Sequence, residues 1–328
     1  MGPIPSPGQS DLHVNQPLTN VSVAYMQSAN EFIASKVFPQ VRVAKQSDIF
    51  WRYSKADWRK TQAQKRAPGT KSVGVGWKFD TGNYFADVYA VHKDVDDQTR
   101  SNADSNFNLD RDATHFVTNQ LLLKRDLDWA TRYFKPGVWG NDLVGGTDFV
   151  KYSDGGSDPI GDFSLRAIDF RKNSGFKPNI LVAGSTFTST LKQHPDIIDR
   201  IKYTQRGVVT EDLLATLLEI DQYYTAYATV ATGPDIPDAR TEDAASSFGF
   251  IINPNDALLL YAPSTPSIQT PSAGYTFVWT GYLRGNRNGI QVSRWREQAI
   301  RSDTIEGEMT YDQKVVCPDM GMYLSQAV

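Results

Sequence analysis

Asn179-Ile180-Leu181-Val182, then Ser185-Thr186-Phe187, then His194-Pro195-Asp196-Ile197-Ile198-Asp199-Arg200-Ile201, is the stretch on which the fold of this 328-residue chain turns. Ile180, Leu181 and Val182 form a short apolar run between polar neighbours, which reads as a buried strand. The Ser185 hydroxyl can accept a hydrogen bond from an amide one turn on, and so caps a helix running through Leu191. Pro195 has a φ already suited to a first turn and lacks the amide that such a turn leaves unpaired, so it starts another helix through Ile201. Thr210 precedes Leu213, Leu214, Leu217 and Leu218 at helical spacing, and Tyr223 to Val230 reads as a strand. Together these make an α/β segment.

Upstream, Gly145-Gly146 and Gly155-Gly156-Ser157-Asp158-Pro159 mark a flexible stretch. Before it stands the strongest helix signal of the chain, capped by Asn106 or Asn108 and ended after Lys135 by Pro136-Gly137. Leu109, Ala113, Phe116, Leu123, Leu127, Ala130 and Phe134 fall on one stripe, and Asp128 and Arg132 are spaced for an i,i+4 ion pair. At about 1.5 Å per residue this helix runs roughly 40 Å.

Further upstream, Ile49 to Val91 changes to aromatic and β-branched residues alternating with polar ones: Phe50, Arg52 and Tyr53, then Val73, Val75, Trp77 and Phe79, then Tyr84, Phe85, Val88 and Tyr89. These predict the strands of a long hairpin. Its middle, 54–72, carries Lys55, Arg59, Lys60, Lys65, Arg66 and Lys71 around Pro68-Gly69, against the single acid Asp57. Such a tip contributes little core to its own subunit. A short amphipathic helix precedes the hairpin, with Val23, Met26, Ala29, Phe32, Ile33 and Val37 on one face and Phe38-Pro39 closing it. Residues 1–17 hold Pro3, Pro5, Pro7 and Pro17 and read as an extended arm.

Downstream, strands are predicted over Phe248 to Ile252, Ala257 to Tyr261, Tyr275 to Leu283, Ile290 to Trp295 and Thr304 to Val316, with Asn288-Gly289 as a hairpin turn. The class is mixed α+β.

The totals restrict what such a fold can do. Seven Trp, fifteen Tyr and sixteen Phe are rich for a soluble enzyme and suit buried interfaces. A formal charge of −3 argues against a surface that coats nucleic acid, because phosphate contacts need Lys and Arg. The sole cysteine, Cys317, has no partner for an intrachain disulfide, reads as one buried thiol and fits a reducing cytoplasm. No run of about 18 apolar residues occurs and 1–16 has no apolar signal core, which predicts neither a secreted nor a membrane-spanning chain.

Catalytic, metal and cofactor patterns fail on spacing. His13, His92, His115 and His194 stand singly. Gly74-x-Gly76 lacks the third glycine of a dinucleotide loop at Phe79, and Gly69-Thr70-Lys71-Ser72 has phosphate-loop residues in the wrong order. Asp94-Val95-Asp96-Asp97 begins like a calcium loop but has Thr99 and Ser105 where Gly and Glu belong, so it reads as a solvated acidic turn. No Gly-x-Ser-x-Gly elbow is present. The expectation is a protein without catalytic residues, metal or cofactor.

Arm, long basic hairpin, long helix, α/β segment and a strand-rich return succeed one another, and that order resembles the tailed-bacteriophage major capsid proteins of the Hong Kong 97 fold. Two stretches carry the resemblance most specifically: the opening one, continued by Val209-Thr210-Glu211-Asp212-Leu213-Leu214, and the ending Val315-Val316 through Met320-Gly321-Met322-Tyr323-Leu324. It implies an N-terminal arm and short helix (1–45), an extended loop (46–92), a peripheral domain with its spine helix (93–175), an axial domain (176–289) and return strands of the peripheral domain (290–328).

It further implies a homo-oligomer of hexamers and pentamers in an icosahedral shell around packaged double-stranded DNA, assembled in the bacterial cytoplasm and located in the virion capsid. A portal, and decoration proteins on some shells, go with it. The charged helical N-terminal region of members with an internal scaffold is not seen before about Val21, which implies a separate scaffolding protein or none. Some members crosslink a loop lysine to an asparagine, for which Lys60, Lys65 and Lys71 are placed, although ordinary solvated lysines read the same way.

Ordering a backbone costs about 1–2 kcal/mol per residue, so the arm and hairpin tip need contacts with other subunits. Arg52, Lys55, Trp58, Arg59, Lys60, Lys65, Arg66 and Lys71 are the expected intersubunit contacts, and Asp94, Asp96, Asp97, Asp104, Asp110 and Asp112 the acidic surface that receives them. Two alternatives stand beside this reading. An encapsulin-type nanocompartment shares the fold, and Trp51, Tyr53, Trp58 and Trp77 interleaved with cations suit a nucleic-acid-binding tip.

Overall fold

A computed structural model describes residues 28, 31–103, 108–202, 208–231, 248–266, 270–283 and 289–328. The arm over 1–17 and most of the helix expected over 18–39 lie outside these residues. What is described of that helix is one turn, α1 (Ala34–Val37), with Phe32, Ile33, Val37 and Phe38 buried around it.

β1 (Gln40–Val43), β2 (Ser47–Tyr53), α2 (Lys55–Arg59), β3 (Phe79–Phe85) and β4 (Asp87–Asp96) follow. β2 and β3 pair antiparallel from Ser47↔Phe85 to Tyr53↔Phe79, which is the expected hairpin with a shorter return. Val73, Val75 and Trp77 are not in a strand, because β2 stops at Tyr53 and leaves nothing opposite them to complete a ladder. The strand read through Tyr84 to Tyr89 breaks at Ala86, whose amide bonds the Gln46 carbonyl, so that β3 and β4 enter different sheets.

α3 (Asp97–Asn102) leads to the long helix α4 (Leu109–Tyr133), whose cap Asn108 accepts from the Arg111 amide at 3.0 Å. Its buried face is rolled relative to the expected stripe. Val117, Leu121 and Trp129 face inward, while Phe116 is 43% exposed and Leu123 and Leu127 are half-covered. The cause lies across the contact, at Gly307: a Cβ there would stand 2.4 Å from Val117 Cγ1, so the missing side chain decides which ridge of the helix approaches the sheet. The expected Asp128–Arg132 pair also gives way. Asp128 binds Lys124 at 2.8 Å and accepts from the Tyr311 hydroxyl, whereas Arg132 reaches Asp312 at 4.0 Å.

β5 (Asn141–Val144) and α5 (Pro159–Ser174) flank the stretch expected to be flexible. Gly145 is pressed onto the Gln326 carbonyl, where a Cβ would stand 2.0 Å away. Asp158 caps α5 through the Gly161 amide, Pro159 is its first residue, and Gly175 ends it at φ 83°. Those start and stop signals are in the sequence; the weak apolar periodicity between them hid the helix.

β6 (Ile180–Gly184) is buried along its whole length, and α6 (Ser185–Gln193) follows with Gly184, rather than Ser185, at its cap. α7 (Pro195–Ile201) and α8 (Glu211–Leu217, capped by Thr210) stand where Pro195 and Thr210 predict them. The strand expected from Tyr223 to Val230 divides into β7 (Gln222–Ala226) and β8 (Thr229–Ala231). The chain ends with β9 (Phe248–Phe250), β10 (Ala257–Leu260), β11 (Gly274–Trp279), β12 (Ile290–Glu297), β13 (Ser302–Val315), a 3-10 turn Pro318–Met320 and β14 (Gly321–Ser325). Asn288 lies outside the described residues, and no hairpin joins the strands on either side of it: β11 and β12 pair successive stretches of β13, not each other.

Two five-stranded sheets result. One has the order β5-β14-β10-β6-β7, and its buried strands and flanking helices form the main core around Phe163, Phe187, Leu181, Leu259 and Tyr323. The other has the order β1-β11-β13-β12, with β4 also paired to β13 and α4 packed over it at Leu121, Met309 and Tyr311.

Candidate intersubunit surface

The β2–β3 ribbon is a two-stranded sheet, so its side chains have little of their own chain to pack against. Its root is fixed: Phe50 stacks on Phe277 with ring centroids 5.3 Å apart, and Tyr84 stacks on the same ring at 4.5 Å. The mouth is closed by the Ser54 amide on the Lys78 carbonyl and by Asp57, which accepts from the Lys78 amide at 2.8 Å. Beyond it the chain is irregular from Lys60 to Lys78.

Aromatic side chains line this projection and touch mainly one another. Trp51 meets Phe79 edge-on at 4.7 Å, and Trp58 contacts Tyr53 at 6.2 Å and Trp77 at 6.4 Å. Trp58 is nevertheless 67% exposed and Trp77 61%, with Ile49, Val73, Val75 and Phe79 also open to solvent. Exposed apolar side chains thus gather along this loop.

The basic residues divide into two groups. Arg52 pairs with Asp80 across the ribbon, Lys55 with Asp319 at 2.6 Å, and Arg59 donates to the carbonyls of Lys172 and Asn173 at 3.2 and 2.9 Å. Arg66 bonds the Thr70 carbonyl within the tip. Lys60, Lys65 and Lys71 are exposed beside it.

The acidic stretch is occupied within its own chain more than its sequence suggests. Asp94 accepts from the Thr304 hydroxyl at 2.6 Å, and Asp96 caps α3 through the Thr99 amide. The expected solvated turn is therefore the end of β4 and the start of α3. Asp97 pairs with Arg296, and Asp110 with Arg100 at 2.7 Å and Arg294 at 2.9 Å. The same three arginines converge on Asp303, at 2.6 Å from Arg294 and 2.7 Å from Arg100, and their hydrogen bonds hold its carboxyl down to about 2. Asp112 is exposed, and Asp104 lies outside the described residues. Sequence reasoning missed Asp303 and the arginines; the alternation of Arg294 and Arg296 on one face of β12 was the available signal. Among the described residues, basic tip and acidic stretch are not brought together within one chain.

Among the described residues no group of three or more His, Cys, Asp or Glu is clustered as metal ligands, and no helix is long and apolar enough to cross a membrane. His194 is buried against Ser157, its Nε2 3.0 Å from the hydroxyl. Cys317 is half-buried and burial raises its thiol pKa.

No family model matches the chain. It is 29% identical over 236 residues to the major capsid protein of Burkholderia phage BcepMu, an alignment covering 69% of this chain and 73% of that protein. A phage-related protein from Bordetella bronchiseptica RB50 has a similar structure at 23% identity, with a TM-score of 0.67 over 92% of this chain and 94% of that one. The capsid structure of cyanophage P-SCSP1u superposes with a TM-score of 0.62 at 13% identity, over 96% of this chain and 93% of its own. An encapsulin from Synechococcus elongatus PCC 7942 shares the fold more distantly, with a TM-score of 0.54 at 9% identity over 95% and 93% of the two chains.

Proposed function

We infer that this chain is a tailed-phage major capsid protein of the Hong Kong 97-type fold, and that its function is to assemble with copies of itself into the icosahedral head enclosing the phage genome. Packing between subunits, rather than turnover of a substrate, is its chemistry. The observation that carries the reading is the β2–β3 projection: anchored at its root by Phe50 and Tyr84, it presents Trp58 and Trp77 to solvent, with no layer of the described residues above them. Burial of aromatic surface on this scale favours association in water, and a neighbouring copy supplies the missing layer.

In this reading the loop (46–92) reaches an adjacent subunit of the same hexamer or pentamer. Trp58 with Lys60, Lys65, Arg66 and Lys71 makes the contact, helped by Arg52, Lys55 and Arg59 at the base. On the receiving side, of the stretch Asp94, Asp96, Asp97, Asp104, Asp110 and Asp112, Asp112 is the described residue best placed to meet a cation, since Asp97 and Asp110 already share their charge with arginines. Each exposed pair is worth about 0–1 kcal/mol, so the ion pairs orient subunits while apolar burial binds them. The five-part division 1–45, 46–92, 93–175, 176–289 and 290–328 belongs to the same proposal. So do a separate scaffolding protein, a portal and optional decoration proteins as partners, double-stranded DNA held inside without sequence-specific contacts, assembly in the host cytoplasm and a final place in the virion capsid.

Reversing the charge of Lys60, Lys65, Arg66 and Lys71 together tests the contact. The subunit is expected to melt as the native one does and to form no closed shells by negative-stain microscopy; normal shells would refute the pairing. A nanocompartment built on the same fold is the second reading. The sequence relatives named as phage major capsid proteins favour the first, and purified shells that enclose enzyme cargo instead of DNA would reverse that choice.

A further inference from the structure

Lys55 and Arg59 reach back from the extended loop onto the body of their own subunit, one turn of α2 apart. Lys55 Nζ lies 2.6 Å from Asp319 Oδ2, in the 3-10 turn that opens into β14. Arg59 donates through one guanidinium nitrogen to the carbonyls of Lys172 and Asn173, in the last turn of α5. These carbonyls have no amide partner within the helix, and the negative end of the helix dipole favours a cation there. The seat is shaped for that group. Gly175, φ 83°, turns the chain there and adds no side chain; a Cβ would stand 1.9 Å from the nearer guanidinium nitrogen and push the flexible end of Arg59 aside. The two attachment points adjoin, since α5 packs against the Pro318–Met320 turn. On the loop side, Asp57 between the two cations holds the Lys78 amide, tying α2 to the residue that precedes β3.

We propose that Lys55 and Arg59 are intrachain anchors that set the angle of the extended loop before assembly, presenting Trp58 and Trp77 to the neighbouring copy, and are not themselves intersubunit contacts. With both anchors engaged Trp58 and Trp77 stay open to solvent, so the anchors do not mask the aromatic surface; they hold it in place. Part of the ordering entropy of the loop is thereby met within the subunit, and a preorganised loop binds its partner at lower concentration than a free one. The proposal rests on the loop being an assembly interface, and it moves Lys55 and Arg59 from the contact to its support.

The test compares the full native chain with Arg59→Ala and Asp319→Asn, both exposed changes that leave the core intact. Two measurements are made on each: the rate of tryptic cleavage at Lys60, Lys65, Arg66 and Lys71 in the dispersed subunit, and the protein concentration at which light scattering reports shells. Loss of an anchor is expected to speed cleavage about fivefold and raise the threshold by a similar factor, with the thermal melt unchanged. Combining the two changes should exceed either alone. Native cleavage and an unaltered threshold in both variants overturn the anchor, as does faster cleavage with an unaltered threshold. If the native chain itself forms no shells at any concentration, the interface reading fails instead, a result distinct from both.

Discussion

Asp126 Oδ1, in the C-terminal half of α4, lies 2.6 Å from the Ala34 backbone nitrogen and also accepts from the Ile33 amide at 2.9 Å. One buried carboxylate on the long helix thus fixes the first turn after the N-terminal segment, where α1 has no capping side chain of its own.

That contact gives the subunit a pH dependence near neutrality. Burial raises the Asp126 carboxyl to about 6, against the two amide hydrogen bonds and the nearby charges of Arg125 and Lys36, which lower it. The folded chain therefore holds the proton more tightly than the unfolded one. Stability from this group is complete below about pH 4 and is lost as pH rises through 6, by on the order of 3 kcal/mol. The melting temperature should fall between pH 5 and 7.5, a window in which the carboxyls held below their ordinary range stay ionised. Asp126→Asn keeps an acceptor oxygen and should flatten the profile; a variant retaining the native slope would place its origin elsewhere.

Trp129 and Phe116 stand on one helix and should behave oppositely. Trp129 is fully buried and meets Phe38 edge-on at 6.0 Å, so Trp129→Ala should destabilise the subunit by about 3–5 kcal/mol in urea unfolding. Phe116→Ala, at a position the sequence stripe marks as core, should cost only about 1 kcal/mol because the residue is already 43% exposed. A large loss from Phe116→Ala would restore the original stripe.

Gly307→Ala inserts a methyl 2.4 Å from Val117 and 2.9 Å from Leu121. Overpacking of this kind costs about 1–3 kcal/mol, and the chemical-denaturation midpoint should drop without a change in slope. A neutral result would mean that α4 can slide on β13.

Asp303 carries the three-arginine network, and its carboxyl is held near 2 by Arg294 and Arg100. Its contribution is present above the ordinary carboxylate pKa and lost as pH falls through 2. Asp303→Asn should melt below the native chain at pH 7, with the gap closing between pH 4 and 2 and narrowing in high salt. A gap independent of pH would show that packing, not charge, links β12 and β13 to α3.

Local signals were legible at several places where one residue settles one turn of backbone. Pro195 and Thr210 start the helices they predict, Asn108 caps α4, and the aliphatic run at Ile180 is a buried strand. The projecting loop was legible too, through its excess of lysine and arginine and its shortage of acids, although the length of its returning strand was not. What failed had a distant cause. The buried face of α4 was misread because Gly307 lies far along the chain, and the acidic stretch looked unpaired because Arg294 and Arg296 arrive from β12.

The amino-acid sequence by itself determined the starts of the helices at Asn108, Pro195 and Thr210, the buried strand at Ile180, that a basic aromatic loop has no core of its own, and the order of parts that resembles a capsid subunit. Only the tertiary structure decided which side of the long helix is inside, which acids and arginines share charge, and that Lys55 and Arg59 turn back onto their own subunit. The physical reason is range. Caps, turns and periodicity act over a few residues, while packing and ion pairs depend on which distant side chains, or missing ones, the topology brings within a few ångströms.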